Sequence, residues 1–182
     1  VDEDKFIQEK QKRNLIALNQ IIQKLSPLNV QIKQNFKIEC YDISNIQGKN
    51  AVGSMIVFVD GKPAKNLYRK FKIKTKNTPD DFAMMSEMLR RRLVHKGKKP
   101  DESFSIKPDL IIVDGGKGQL SSAYIVLMSL NIDIPIIGLA KRNEDVFIIR
   151  EKDGELRFSQ KSLAYNSDGY FLLQRIRDES HR

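Results

Sequence analysis

The stretch Asp109-Leu-Ile-Ile-Val-Asp-Gly-Gly-Lys-Gly118 sets the strongest limit on how this chain can fold. Asp109 to Asp114 reads as a short apolar strand and Gly115 to Gly118 as a glycine turn. Gln119 to Leu130 then carries a helical pattern, and Pro135 to Ala140 is a second apolar strand. A strand, a helix and a strand in that order need a crossover connection, so the two strands pair in parallel and the chain belongs to the α/β class.

The segments on either side extend this frame. Residues 3–25 read as a helix, with Leu15, Leu18, Ile22 and Leu25 on one apolar stripe and Ser26-Pro27 ending it. Three strands follow, at 36–43, 51–59 and 65–73, with 45–50 as a loop and Asp60-Gly61 as a tight turn, so three sequential antiparallel strands are expected. Thr78-Pro79-Asp80-Asp81 opens a helix bearing Met85, Met88 and Leu89 on one face and ending near Lys96-Gly97. Residues 98–107 read as a polar loop. Asp153-Gly154 joins a hairpin of 146–149 and 155–158, and a last helix spans about Gly169 to His181 with Leu172, Leu173 and Ile176 buried. Gln174, Arg177, Asp178 and His181 lie on roughly the opposite side of it. The expected organisation is a helical connector over 1–35 and one domain over 36–182. Its fold is a mixed sheet, three antiparallel strands followed by parallel ones, flanked by helices.

With 182 residues and 40% hydrophobic content, one core can form and bury roughly 70% of the unfolded surface. No apolar run approaches the roughly 20 residues that span a bilayer, and the first residues do not resemble a signal peptide. Cys40 stands alone, which excludes an internal disulfide and a cysteine-rich zinc site and suits a reducing cytoplasm. The net charge of +9 points to a polyanionic partner, since each neutralised phosphate releases counterions. Three basic clusters stand out: Arg90-Arg91-Arg92 with Lys96, Lys98 and Lys99; Lys70, Lys72, Lys74 and Lys76; and Lys141-Arg142.

Asp42 is the most informative side chain. It interrupts a strand of half-buried character, aspartate is a poor strand former, and an uncompensated buried carboxylate costs several kcal/mol. A salt bridge to a basic side chain is one way to compensate it. Asp114 ends the strand at 109–114, where an aspartate also serves to cap a turn. Placed on neighbouring strands at about 4 Å, the two would repel by roughly 4 kcal/mol at an effective dielectric of 20. A divalent cation resolves that repulsion, and oxygen ligands select Mg²⁺ or Mn²⁺ over zinc. Ligands of such sheets collect beyond the carboxyl ends of the parallel strands, so Asp114 and Lys141-Arg142 should share an edge. The glycine turn lacks the full P-loop pattern, which argues against an NTPase. It is compatible both with holding a phosphate and with close strand–helix packing. Cys40 reads as a core residue and His95 as a solvated one.

Five stretches together resemble the nuclease region of the UvrC family: Glu39-Cys-Tyr-Asp-Ile-Ser44, Asp80-Asp-Phe-Ala-Met84, Asp109 to Leu120, Gly138-Leu-Ala-Lys141, and Leu172-Leu-Gln-Arg-Ile-Arg-Asp-Glu-Ser-His181. The resemblance implies a ribonuclease H-like domain that makes the 5′ incision in damaged double-stranded DNA during bacterial nucleotide excision repair, with a divalent metal, Mg²⁺ or Mn²⁺. It carries catalytic roles to Asp42, Asp114 and His181, and to an acid of the Asp-Asp-Phe-Ala motif, for which Asp81 is chosen; Asp42 and Asp114 are then expected as metal ligands, and His181 either as a metal ligand or as an aid to proton transfer. Lys117, Lys141, Arg142 and Arg177 are expected as contacts to DNA phosphates that position the backbone without reading bases. Asn45 stands where the family's usual histidine follows Ile-Ser. Full-length relatives also carry a GIY-YIG nuclease, a segment binding UvrB, and helix-hairpin-helix modules; none is evident here, and the chain reads as a fragment. The alternative from another class is a non-catalytic nucleic-acid-binding or scaffold domain of the same fold.

Overall fold

The structure, a computed structural model, describes residues 2–44, 51–74, 81–95 and 99–182, the side chain of Asp81 excepted. The loop expected at 45–50, the Thr78-Pro79-Asp80 start, Lys76 and the 96–98 helix end therefore lie outside the described residues.

Helix α1 (Asp2–Lys24) buries Asn14, Ala17, Leu18 and Ile21, with Leu25 just beyond its end. The expected stripe is thus turned, because Leu15 is exposed. The rotation is set by a close approach to the last helix: the Gly169 amide donates to Gln20 Oε1 across 2.7 Å, and a Cβ at Gly169 would meet Gln20 Cβ at 3.1 Å.

Strands β1 (Lys37–Ser44) and β2 (Val52–Val59) pair antiparallel. Asp60 and Gly61 both take positive φ and turn the chain tightly into β3 (Lys62–Pro63). The single third strand expected at 65–73 is broken. A 3-10 turn at Lys65–Leu67 separates β3 from β4 (Arg69–Lys72), and both pieces pair with β2. Pro63 has no amide to donate to a continuing ladder, and proline belongs at an edge for that reason.

Helix α2 (Asp81–Leu93) buries Met84, Met85, Met88, Leu89, Arg92 and Leu93. A four-residue helix, α3 (Glu102–Ser105), occupies part of the expected loop, with the Asp101 carboxylate accepting from the Ser103 amide at 2.9 Å. The strand–helix–strand unit is present as β5 (Leu110–Asp114), α4 (Gly116–Ser129) and β6 (Ile136–Leu139). The hairpin is longer than expected, β7 (Asp145–Lys152) and β8 (Glu155–Ser162), turning at Asp153-Gly154. Helix α5 (Asp168–Ser180) closes the fold, with Ser167 Oγ accepting from the Tyr170 amide.

The sheet order is β3-β2-β1-β5-β6-β7-β8, with β4 also on β2. The β1–β5 and β5–β6 pairs are parallel and the others antiparallel. Residues alternate across it. Ile38, Cys40, Leu110 and Ile112 face α1 and α5, and Tyr41, Ile111 and Val113 face α2 and α4. Two cores result, one on each face, where each fully buried Leu, Ile or Phe stabilises by about 1.5–3 kcal/mol.

The second face holds a buried ionic cluster. Glu39 accepts from Arg92 Nε at 3.0 Å and Nη2 at 2.8 Å, and from Lys37 Nζ at 3.0 Å. Tyr41 donates its hydroxyl to the same carboxylate. The carbonyls of Ser103 and Ile106 take the remaining protons of Lys37. The basic run at 90–92 is therefore not one surface patch: Arg92 points inward, while Arg90 and Arg91 reach Ser129 and the Lys72 carbonyl. Helical periodicity separates them, since 85, 88, 89 and 92 fall on one side.

Candidate metal centre

The parallel register of β1 and β5 places Asp42 directly opposite Asp114, both on the sheet face that carries α5. Asp114 is the last residue of β5, at the carboxyl end where the chain turns into α4. The C-terminus of α5 arrives at the same point. There Ser180 Oγ lies 2.9 Å from Asp114 Oδ2 and 2.8 Å from the Arg177 carbonyl, so its one proton serves one acceptor at a time. His181, the C-cap of α5, brings Nε2 to 2.6 Å from Asp114 Oδ2. One ligand atom from each of Asp42, Asp114 and His181 lies within 4.8 Å of the others.

Burial, and then the neighbouring Asp114, push the Asp42 carboxyl up to about 6, with His181 acting in the opposite direction. No described Lys or Arg forms a salt bridge to Asp42. Two carboxylates with no cationic side chain between them, joined by one imidazole, are a donor set that fits a hard divalent cation. Cys40 lies beneath them, fully buried. Burial first and the two carboxylates next raise its thiol well above the ordinary range, so it remains a neutral core group.

The other sequence-derived candidates separate. Asp114 pairs with Leu139, so Lys141 and Arg142 follow from the end of β6 on the expected edge, and both are exposed. Lys117 is not brought to the cluster: its ammonium stands 5.3 Å from the Phe147 ring and 5.8 Å from Phe158, beside the hairpin. Arg177 is also engaged. It pairs with Glu144 at 2.9 Å and donates to the Ala140 carbonyl, tying α5 to the turn that carries Lys141 and Arg142. Asp81 begins α2, and its side chain lies outside the described part. The glycine turn proves to be the first turn of α4, three residues earlier than expected, with Gly115 as an N-cap that offers no side-chain hydrogen bond. Gly116 takes a φ of +86°, and a Cβ at Gly118 would meet the Phe82 ring at 2.3 Å. Close packing of α4 on α2 accounts for Gly118.

Sequence reasoning missed Ser180 and Glu144. Ser180 was legible as the next step of the buried pattern Leu173, Ile176, Ser180, which would have placed its hydroxyl in the sheet-facing side of α5. Glu144 carried no such signal. It is buried at a positive φ of 51°, and its Oε2 has no hydrogen-bond partner among the described residues.

A mixed sheet of this order, with paired carboxylates at the ends of its central parallel strands, defines a ribonuclease H-like nuclease domain. Residues 28–182 match the model of the UvrC RNase H endonuclease domain, and the chain belongs to that family. It is 42% identical over 182 residues to the UvrABC system protein C of Prosthecochloris aestuarii, covering 98% of this chain and 28% of that protein. It is 47% identical over 151 residues to the protein of the same name from Gloeobacter violaceus, covering 80% of this chain and 23% of that one. The chain thus spans roughly a quarter of the length of these relatives. Among solved structures it shows a distant likeness to Ciona intestinalis endonuclease V in complex with a 24mer DNA, with a TM-score of 0.39 and 16% identity over 76% of this chain and 58% of that one. Human ENDOV gives a TM-score of 0.39 and 7% identity over 91% and 97%. No helix among the described residues is long and apolar enough to cross a membrane.

Proposed function

We propose that this endonuclease domain cleaves damaged double-stranded DNA in a metal-dependent reaction, making the 5′ incision of bacterial nucleotide excision repair. The observation that carries this reading is the convergence of Asp42, Asp114 and His181 from three separate elements on one point at the carboxyl ends of the parallel strands. Asp42 and Asp114 hold the divalent ion, Mg²⁺ or Mn²⁺, and His181 binds it or moves a proton at the same place. Such an ion, when bound, neutralises phosphoryl charge and acts as a Lewis acid. Ser180 orients the Asp114 carboxylate, and the Glu144–Arg177 pair fixes the turn from which Lys141 and Arg142 reach the backbone without reading bases. Asp81, from the start of α2, is a further acidic contributor. In the reaction a water oxygen bonds to phosphorus and gives up a proton, the bond to the 3′ oxygen breaks, and that oxygen takes a proton. The downstream strand keeps a 5′ phosphate.

In the cell this domain works as part of a longer cytoplasmic protein that engages UvrB through segments beyond the 182 residues. Nicking of damaged duplex in a reconstituted repair reaction tests the reading. We expect it to need Mg²⁺ or Mn²⁺, to stop with EDTA, and to be lost in Asp114→Asn while metal-independent DNA binding persists. Undiminished 5′ incision by Asp114→Asn overturns it.

A further inference from the structure

Helix α5 presents Asp168, Phe171, Arg175 and Glu179 at spacings of three, four and four residues, which puts them on one stripe, and Arg182 follows just past the C-cap His181. That stripe, with Arg182 beyond it, walls two hollows in succession. The first, about 460 Å³, lies between α1, the β2–β3 turn and the start of α5, and is bordered by Lys10, Arg13, Lys62 and Arg175. The second, about 270 Å³, lies between the end of α5 and β2–β4, and is bordered by Lys65, Arg69, Lys70 and Arg182. The same side of α5 walls both, so they succeed one another along it, and the two together are the α5 groove. At 1.5 Å per residue, the stripe from Asp168 to Glu179 runs about 17 Å along α5.

Its position relates it to the metal centre. Ser54, on the wall of the second hollow, is the register partner of Asp42, and α5 ends in Ser180 and His181. The second hollow therefore lies beside the cluster on the β2 side. Lys141 and Arg142 flank the cluster from the β6 side, across β1 and β5.

Its charge is not consumed internally. Arg69 is held by Asp101 and Arg182 by Glu179, but the side chains of Lys10, Arg13, Lys62, Lys65, Lys70 and Arg175 make no hydrogen bond or salt bridge among the described residues, although Lys65 acts on Glu179 and Asp168 on Arg175 through space. Only two acids, Asp168 and Glu179, line the whole length, and Glu179 is taken up by Tyr68 and Arg182. A concave track with one sign of charge focuses the field on a polyanion.

We infer that this α5 groove is the binding track for the sugar–phosphate backbone of one duplex arm beside the scissile phosphate. With a rise of 3.4 Å per base pair, its length takes about five base pairs. Contacts there are to phosphates, so they position the substrate without sequence preference. The inference rests on the nuclease reading for its substrate and goes beyond it by assigning a surface and residues.

The test is binding of a short fluorescent duplex to the 182-residue chain across a range of salt concentrations. Lys62→Gln/Lys65→Gln/Lys70→Gln changes only exposed side chains, and Lys10→Gln/Lys62→Gln probes the far end. Each lost phosphate contact lowers the slope of log K against log salt by about 0.9, so the triple variant should be shallower by about 2 to 3 and bind at least roughly tenfold more weakly at low salt. Mn²⁺ titration should be unchanged in both variants. Lys152→Gln, at the β7–β8 turn on the far edge of the sheet, should behave as wild type. A wild-type slope in the triple variant, or an equal loss in Lys152→Gln, overturns the groove. If the groove variants lose slope while Asp114→Asn still nicks DNA, the track stands and the proposed catalytic centre falls.

Discussion

Asp42 shows how a single side chain can be held against its own ionisation. In metal-free protein its carboxyl keeps a proton up to about pH 6, against an ordinary value of 3.8. Between those values the folded state binds more protons than the unfolded chain, so this group's contribution to stability falls as pH rises through the window. Urea unfolding in EDTA should therefore show Asp42→Asn gaining on wild type from about pH 4 to 6, with a constant gap above. A gap independent of pH would contradict a buried, repelled carboxylate at this position. His181 is the opposite case, a half-exposed helix-end residue whose dipole role alone would make His181→Ala a change of about 1 kcal/mol or less. If it serves the chemistry, the variant in full-length protein should keep 3′ incision and lose 5′ incision by at least roughly a hundredfold. Both cuts can be read from one labelled substrate.

Among the elements, α5 does three things at once: its inner side fills the core with Leu172, Leu173 and Ile176, its end delivers Ser180 and His181, and Arg177 anchors the β6–β7 turn. Ser180→Ala removes the hydroxyl on Asp114 and leaves the ligand atoms in place. Mn²⁺ affinity should fall by about tenfold, the usual scale for a group that orients a metal ligand, with no loss of thermal stability beyond about 1 kcal/mol. Calorimetric titration would decide it, and unchanged affinity would return Ser180 to a packing role. The β1–α2 contact rests on a buried pair instead. Arg92→Ala leaves the buried Glu39 with Lys37 as its one described cation beside the Tyr41 hydroxyl, and should destabilise by about 3–5 kcal/mol in denaturant unfolding.

For the whole molecule, α1 is part of the core on the α5 face and not an outlying appendage. Ala17, Leu18, Ile21 and Leu25 are buried with Phe36, Phe58 and Leu172 in one cluster. Leu18→Ala should cost about 2–5 kcal/mol, as deep in the core as any strand residue, if the connector and the domain expected at 1–35 and 36–182 unfold together. A loss under about 1 kcal/mol would instead make α1 a separately folding connector.

How far the chain could be read without its fold follows from what each signal depends on. The short apolar runs at 109–114 and 135–140, separated by a helical pattern, already required a parallel crossover, and Asp60-Gly61 and Asp153-Gly154 marked their turns because positive φ favours those residues. Asp42 stood out because a carboxylate inside a strand needs compensation wherever the strand lies. These are local constraints, set by backbone chemistry and by the alternation of a strand. The rotation of α1, the break of the third strand into β3 and β4, and the inward turn of Arg92 depended on what packs alongside. A helix with apolar groups on several sides has no preferred face until Gly169 admits it, and a basic run has no fixed surface until Glu39 claims one member. The joining of Ser180, His181, Asp114 and Asp42 was of the same kind. Residues 42, 114 and 181 are brought together only by the β1–β5 register and the path of α5 across the sheet, and neither is encoded in any one stretch of the sequence.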